Sequence, residues 1–279
     1  MSSFVKRILS AVVLLPLLIL FTLLLPQYHM IGFVFFFTVA FILGSHEMYN
    51  IVRKKGDVSK LAMLAVVFPV LEYASKHFGL SDLTNFHFFM LLVILTFIIE
   101  LFKGAKDDFS SSISRVSLTS LVLIYPGLTS TFVIDLAFLP DPTPYIFLYF
   151  AFVFSSDTFA FFTGLLFGKG NQGFIKVSPK KSVAGYIGGS LIPALIGSLS
   201  PVLFPAYYAF TPLVGFFLGL FTSFFAEIGD LVESLFKRSA GIKDSGTIIP
   251  GRGGILDSID SLMIAAPAFM ILSHIFGLV

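Results

Sequence analysis

Residues 207–236 read YYAFTPLVGFFLGLFTSFFAEIGDLVESLF. The first twenty of these carry no charge, and about 20 apolar residues are enough for an α-helix to cross the hydrocarbon core of a bilayer. The run continues into Asp230 and Glu233. One helix is therefore expected to carry carboxylates into an apolar medium, where an acid is costly and marks function by default.

Eight further apolar stretches surround this one. They lie near 9–25, 29–45, 60–76, 85–102, 112–138, 144–166, 183–204 and 255–278. The chain has 279 residues, of which 56% are hydrophobic and 12% charged, against about 25% charged in soluble domains. Its mean hydropathy is +0.95. Too little polar surface remains to cover a globule in water, which excludes soluble, disordered and fibrous classes. The runs are continuous rather than alternating, which argues against a β-barrel. The expected fold is all-α: a polytopic integral membrane bundle of about nine transmembrane helices. Residues 1–143 are expected to form a scaffold with any lipid or homodimer contacts, and residues 144–279 to carry the functional site. Pro126 and Gly127 predict a kink in the fifth stretch. Lys6 and Arg7 precede an apolar run that ends in LLLPQYH without a small-residue cleavage motif, so an uncleaved first helix is expected.

Basic residues set the orientation. Numbering the connections alternately from a cytoplasmic N-terminus places every one of the eighteen bases inside except Lys76. Dropping one span scrambles this asymmetry, which predicts a cytoplasmic N-terminus and an external C-terminus. The net charge of +2 is too small to argue for nucleic acid. Without cysteine there is no disulfide, thiolate nucleophile or Cys-ligated zinc.

Polar residues inside the spans point to chemistry. Glu72, Glu100 and Asp135 are scattered singly, with Glu100 expected at a helix end beside Lys103. Asp157 lies in FVFSSDTFAFFTGLLFGKG, roughly 16 Å along a helix from Gly168. Ser155, Ser156 and Thr158 beside it could hydrogen-bond it or line a wet cavity; a structural interhelical hydrogen bond is the rival reading. The loop SPKKSVAGYIGG, residues 178–189, begins with Ser178 and Pro179, which suit a helix start. Lys180 and Lys181 would then sit in the first turn, where the helix dipole disfavours cations unless a phosphate binds. The alternative is a basic loop on lipid headgroups. Gly185, Gly188 and Gly189 form a small-residue face suited to close helix packing.

The densest charge lies in EIGDLVESLFKRSAGIKDSGTIIPGRGGILDSID, residues 227–260, with six of the sixteen acids and four of the eighteen bases. Asp230, Glu233 and Lys237 share one helix face, and Asp257 and Asp260 open the last helix on one face. Between them runs a glycine-rich loop with Lys243, Asp244 and Arg252. Carboxylates from two helices beside a basic, glycine-rich loop suit Mg²⁺ bound to a polyphosphate, with Lys and Arg on the remaining phosphate charge. The number of acids leaves scope for a second cation.

SLFKRSAGIKDSGTIIPGRGGILDSID, residues 234–260, resembles the signature of the phosphatidate cytidylyltransferases, or CDP-diacylglycerol synthases. The matching positions are Ser234, Phe236, Lys237, Arg238, Lys243, Asp244, Gly246, Pro250, Gly253, Gly254, Asp257 and Asp260. DTFAFFTGLLFGK and SPKKS–GYIGG resemble the family in the same order. The chain departs at Arg252 (usually His), Ser258 (usually Arg) and Ala184 (often Glu). The resemblance implies transfer of the cytidylyl group of CTP to phosphatidate in a membrane, bacterial inner or plasma, with the site toward the cytoplasm. Catalysis is expected from Asp230, Lys237, Arg238, Lys243, Asp244 and Asp257. Phosphates fall to Ser178, Lys180, Lys181, Lys237, Arg238, Lys243 and Arg252. Mg²⁺ falls to Asp230, Asp257 and Asp260, with Asp157, Glu233 and Asp244 as further ligands. A cation-coupled transporter using Asp157 and Asp230 is the alternative, although the charges gather toward one face and no internal repeat is visible.

Overall fold

A backbone in hydrocarbon must satisfy its own N–H and C=O groups, so apolar stretches of this length close into helices. The structure is a computed structural model that describes residues 3–80 and 84–278. The side chains of residues 3–11, including Lys6 and Arg7 of the topology reading, lie outside the described residues. Ten α-helices are described: α1 (Ser3–Leu23), α2 (Ile31–Arg53), α3 (Phe68–His77), α4 (Asn85–Lys103), α5 (Ser112–Val122), α6 (Thr129–Asp135), α7 (Pro142–Phe167), α8 (Val183–Leu203), α9 (Pro212–Ser239) and α10 (Leu256–Ile275). Among the described residues there is no sheet, only two isolated bridges, Gln172 with Ser182 and Ile249 with Gly253. The fold is an all-α polytopic membrane bundle. Seven helical segments are long and apolar enough to cross a membrane, and Val12–Leu23 is a shorter apolar helix.

One expected span has a different build. Residues 60–76 form a 3₁₀ run, Lys60–Val67, capped by Ser59 and followed by the ten-residue α3. The fifth stretch does kink: residues Leu123–Leu128 form a wide turn around Pro126, with Tyr125 at φ −122°, ψ 104°, outside the helical region.

The chain divides into two units. The first comprises residues 1–138 and 236–259, the second residues 139–235 and 260–279. In the first, Phe33, Phe37, Phe41, Met48 and Phe68 are fully buried. Its acids are paired rather than scattered. Lys76 Nζ bridges Asp135, at 2.6 Å, and Glu72, at 3.5 Å. Glu100 binds Arg115, which also holds Asp107 at 2.6 Å, while Lys103 turns to Asp57 at 2.7 Å. Glu100 does sit at the end of α4 beside Lys103, and its carboxylate goes to Arg115, whose planar fork of donors matches it.

In the second unit α7 and α8 pack along glycines. A Cβ at Gly188 would strike the Thr163 side chain, and Cβ atoms at Gly197 and Gly215 would strike each other's backbone. Lipid tails are as apolar as leucine, so such close packing, rather than escape from water, holds membrane helices together. Tyr149, Phe152 and Phe269 fill the core of this unit, and the Tyr149 hydroxyl donates to the Leu262 carbonyl.

Candidate active site

The loop after α7 does not start the next helix where Ser178 and Pro179 suggest. Ser178–Lys181 forms a turn closed by Lys181 N donating to Ser178 O at 3.0 Å, with Pro179 at the second position, which its fixed φ suits. Ser182 is the true N-cap: its hydroxyl accepts from Gly185 N at 3.1 Å. Lys180 and Lys181 therefore precede the helix rather than occupy its first turn. Lys180 is exposed. Lys181 lies over the Tyr186 ring, 5.3 Å from its centroid, and its ammonium pairs with Asp230 of α9. Burial acts to lower the Lys181 pKa, but the Asp230 carboxylate outweighs it, and the ammonium titrates above its ordinary value.

Asp230 stands among other acids of the second unit. Asp260 is buried and experiences the like charges of Glu233, Asp230 and Asp157. Glu227, also buried, accepts from the Ser190 hydroxyl at 3.2 Å through one oxygen, while its Oε1 has no hydrogen-bond partner. Asp157 is exposed. Two of the hydroxyls beside it turn back on their own helix, Ser155 Oγ to Phe152 O at 3.2 Å and Thr158 Oγ1 to Phe154 O at 2.7 Å, while Ser156 Oγ is buried without a hydrogen-bond partner.

The first unit holds the glycine-rich loop. The chain turns out of helix α9 at Gly241, whose φ of +70° only glycine adopts freely, with Gly241 N donating to Arg238 O and Ile242 N to Lys237 O. Farther on, Pro250 and Gly251 (φ +83°) turn the chain back, and Arg252 N closes the turn on Ile249 O at 3.1 Å. This is a type II turn, with proline and glycine in their preferred places. Arg252 is exposed, as are Arg238, Lys243 and Asp244.

Asp257, in the first turn of α10, organises the end of the loop. Its Oδ2 accepts from Ser245 N and Gly254 N, each at 2.8 Å, and lies 2.9 Å from Ser245 Oγ. Its other oxygen pairs with the buried ammonium of Lys237.

The predicted residues thus fall into two sets. Lys181, Asp230, Glu233, Asp157 and Asp260 share the second unit; Lys237, Asp257 and the loop residues share the first. Ser178 and Lys180 lie on the turn before α8, in the second unit.

A divalent cation fits this chain in donor chemistry. Asp260 is a buried carboxylate and Glu227 Oε1 is buried without a donor; hard carboxylate oxygens of this kind suit Mg²⁺. Among the described residues no three carboxylates or imidazoles converge tightly enough to form a metal cage. Asp230 and Asp257 are each turned to a lysine instead.

Two further acids belong here. Glu227 sits in the charge-dense stretch 227–260 with no motif that gives it a role. Glu47 lies on α2, which runs eight residues beyond the apolar stretch 29–45. An acid within a helix that is otherwise apolar was the signal for both.

A sequence profile described as "Cytidylyltransferase family" matches residues 5–276. The phosphatidate cytidylyltransferase of Bacillus subtilis (strain 168) is 29% identical over 253 residues, covering 87% of this chain and 90% of the relative. That of Staphylococcus aureus (strain COL) is 31% identical over 229 residues, covering 81% and 82%. That of Staphylococcus saprophyticus is 32% identical over 260 residues, covering 91% and 94%. The similarity takes in both helical units and every segment that holds a site residue, and on that ground the chain belongs to the cytidylyltransferase family.

Proposed function

We propose that this chain transfers the cytidylyl group of CTP to phosphatidate, yielding CDP-diacylglycerol and pyrophosphate. The observation that carries this reading is the near end-to-end similarity to relatives of that name. One substrate is a lipid and the other a polyanion. A membrane bundle with fixed ammonium groups beside helix ends meets both requirements. No observation favours a cation-coupled transporter.

In the transfer, a phosphatidate phosphate oxygen forms a bond to the α-phosphorus of CTP, and the bond from that phosphorus to the bridging oxygen of pyrophosphate breaks. The nucleophile is anionic near neutral pH, so the protein's task is placement and charge compensation. Lys181 and Lys237 are held by Asp230 and Asp257, so a phosphate meets ammonium groups already fixed in position. Lys180, Arg238, Lys243 and Arg252 are exposed and add positive charge, and Ser178 offers a hydroxyl on the turn beside Lys180. Mg²⁺ would be held by Asp230 and Asp260, with Asp157 and Glu233 beside them, and would supply charge neutralisation on the triphosphate. Each paired acid would serve a metal only by exchanging its lysine for it, Asp230 giving up Lys181 and Asp257 giving up Lys237. Asp244, exposed on the loop of the first unit, is a further candidate ligand.

The base asymmetry supports a cytoplasmic site in a bacterial inner or plasma membrane. The test is an assay of purified protein with labelled CTP, phosphatidate and Mg²⁺. Lipid-extractable label that requires phosphatidate and vanishes with a chelator supports the proposal. Cation flux in proteoliposomes without a lipid product would replace it with the transporter.

A further inference from the structure

Glu47 is a buried acid on α2, 5% exposed, among the apolar side chains of the first unit. Its hydrogen-bond partners come from the loop and the start of α10. Ile255 N donates to Oε1 at 3.1 Å, Leu256 N to Oε2 at 2.8 Å, and Ser245 Oγ lies 2.9 Å from Oε2. The first N–H groups of a helix have no partner within it. Here a carboxylate from a helix some two hundred residues away in sequence caps them, in place of the usual local Ser, Thr or Asp.

The loop is fitted to that carboxylate. A Cβ at Gly246 would overlap Glu47 Oε1, and a Cβ at Gly254 would overlap Oε2. Both positions leave room for a charged group that donates nothing and accepts from all sides. The contact also reaches the lysine beside it. Ser245 Oγ is equidistant, at 2.9 Å, from Glu47 Oε2 and Asp257 Oδ2, and its single proton serves one carboxylate at a time while it accepts from Asp257 N at 3.3 Å. Asp257 in turn holds Lys237.

We infer that Glu47 is a positioning residue for cytidylyl transfer: it clamps Ser245–Leu256 and, through Ser245 and Asp257, sets Lys237 for the nucleotide's phosphates. This rests on the proposed reaction. Glu47 touches no substrate in this account; its effect is to decide where the glycine-rich loop and the Lys237 ammonium stand. Residues near the start of the chain thereby take part in a site whose recognisable motif lies near its end.

The test is Glu47→Gln, which keeps the volume but turns one acceptor into a donor facing donors. Two measurements are made on purified protein. Hydrogen exchange of peptides covering 243–257 is compared with and without CTP. The variant should exchange this segment at least about ten-fold faster, with α7 and α8 unchanged, since a charge-assisted hydrogen bond is worth about 10–100-fold. In steady-state kinetics the KM for CTP should rise about ten-fold, while the KM for phosphatidate stays within about two-fold. A purely structural defect would reduce the amount of active protein and leave both KM values in place. Unaltered exchange, or an unaltered CTP KM, would overturn the inference. Gly246→Ala supplies a second arm: it should speed exchange in the native background and add little in Glu47→Ala, whereas additive effects would contradict the clamp. If the unaltered protein formed no lipid product, the reaction would fall and exchange alone would decide whether Glu47 clamps the loop.

Discussion

Lys181, on the turn that precedes α8, forms an ion pair with Asp230 in the polar end of α9. Lys181 is 30% exposed and Asp230 34% exposed, so the pair is open to a ligand yet fixed in place. The carboxylate keeps the ammonium protonated into the alkaline range against the pull of burial.

That pairing predicts a chemical reactivity. An amine acylates only when unprotonated, and a pKa raised above the ordinary lysine value of about 10.4 leaves less free amine at any given pH. Asp230→Asn removes the support and leaves burial, so the Lys181 pKa falls. Acylation of Lys181 near pH 9, read by mass spectrometry, should be faster in Asp230→Asn than in the native protein. Equal rates would mean the pair does not form in the membrane.

Removing the ammonium tests its use. Lys181→Ala should lower kcat/KM for CTP by roughly 10–100-fold, the value of one charge-assisted phosphate contact. Folding should be little affected, because deleting a half-exposed lysine leaves Asp230 accessible to water. Native kinetics in both Lys180→Ala and Lys181→Ala would assign this loop to lipid headgroups instead.

The acids should separate by their partners. Asp230→Asn and Asp260→Asn should each lower turnover by at least about 10²-fold, as when one preorganised charge is lost from an active site. Raised Mg²⁺ should partly restore both. Asp257→Asn should lose comparable turnover without rescue, because its carboxylate holds Lys237 and the Ser245 and Gly254 amides. Equal rescue of all three would put Asp257 on the metal; near-native activity in all three would move the metal elsewhere.

Gly197 and Gly215 let α8 and α9 meet backbone to backbone. Gly215→Val should cost about 1–3 kcal/mol, the usual penalty of overpacking, and lower the unfolding temperature in detergent. An unchanged temperature would show that the helices part without loss.

The alternating base distribution predicts that Lys60–His77 crosses the membrane, although it is built as a 3₁₀ run and a short helix. Reporters fused after Lys55, Lys106, Lys181 and Arg252 should read cytoplasmic, and reporters after Gly79 and at the C-terminus external. An external signal at Lys181 would separate the loop from its nucleotide.

Much of this was legible in the sequence because a membrane imposes one rule on every span: apolar length with internally satisfied backbone. The kink at Pro126 and the glycine face of α8 follow from local chemistry alone. What was illegible depends on tertiary partners. Ser178 has the same credentials as Ser182, and only the turn closed by Lys181 N decides between them. Glu72 and Asp135 read as solitary until Lys76 joins them. Asp257 reads as a metal ligand by its spacing to Asp260, and Lys237 claims it only once α9 and α10 are folded. Glu47 has no motif of its own; the loop it caps lies at the other end of the chain.

Cytidylyl transfer itself is tested most directly by following two labels. Purified protein is given phosphatidate, Mg²⁺ and CTP labelled at either the α- or the γ-phosphate. The account predicts that α-label enters the lipid phase as CDP-diacylglycerol while γ-label leaves in equal amount as pyrophosphate, and that neither moves without phosphatidate. Label from the γ-phosphate appearing in lipid, or pyrophosphate released without lipid labelling, would contradict it.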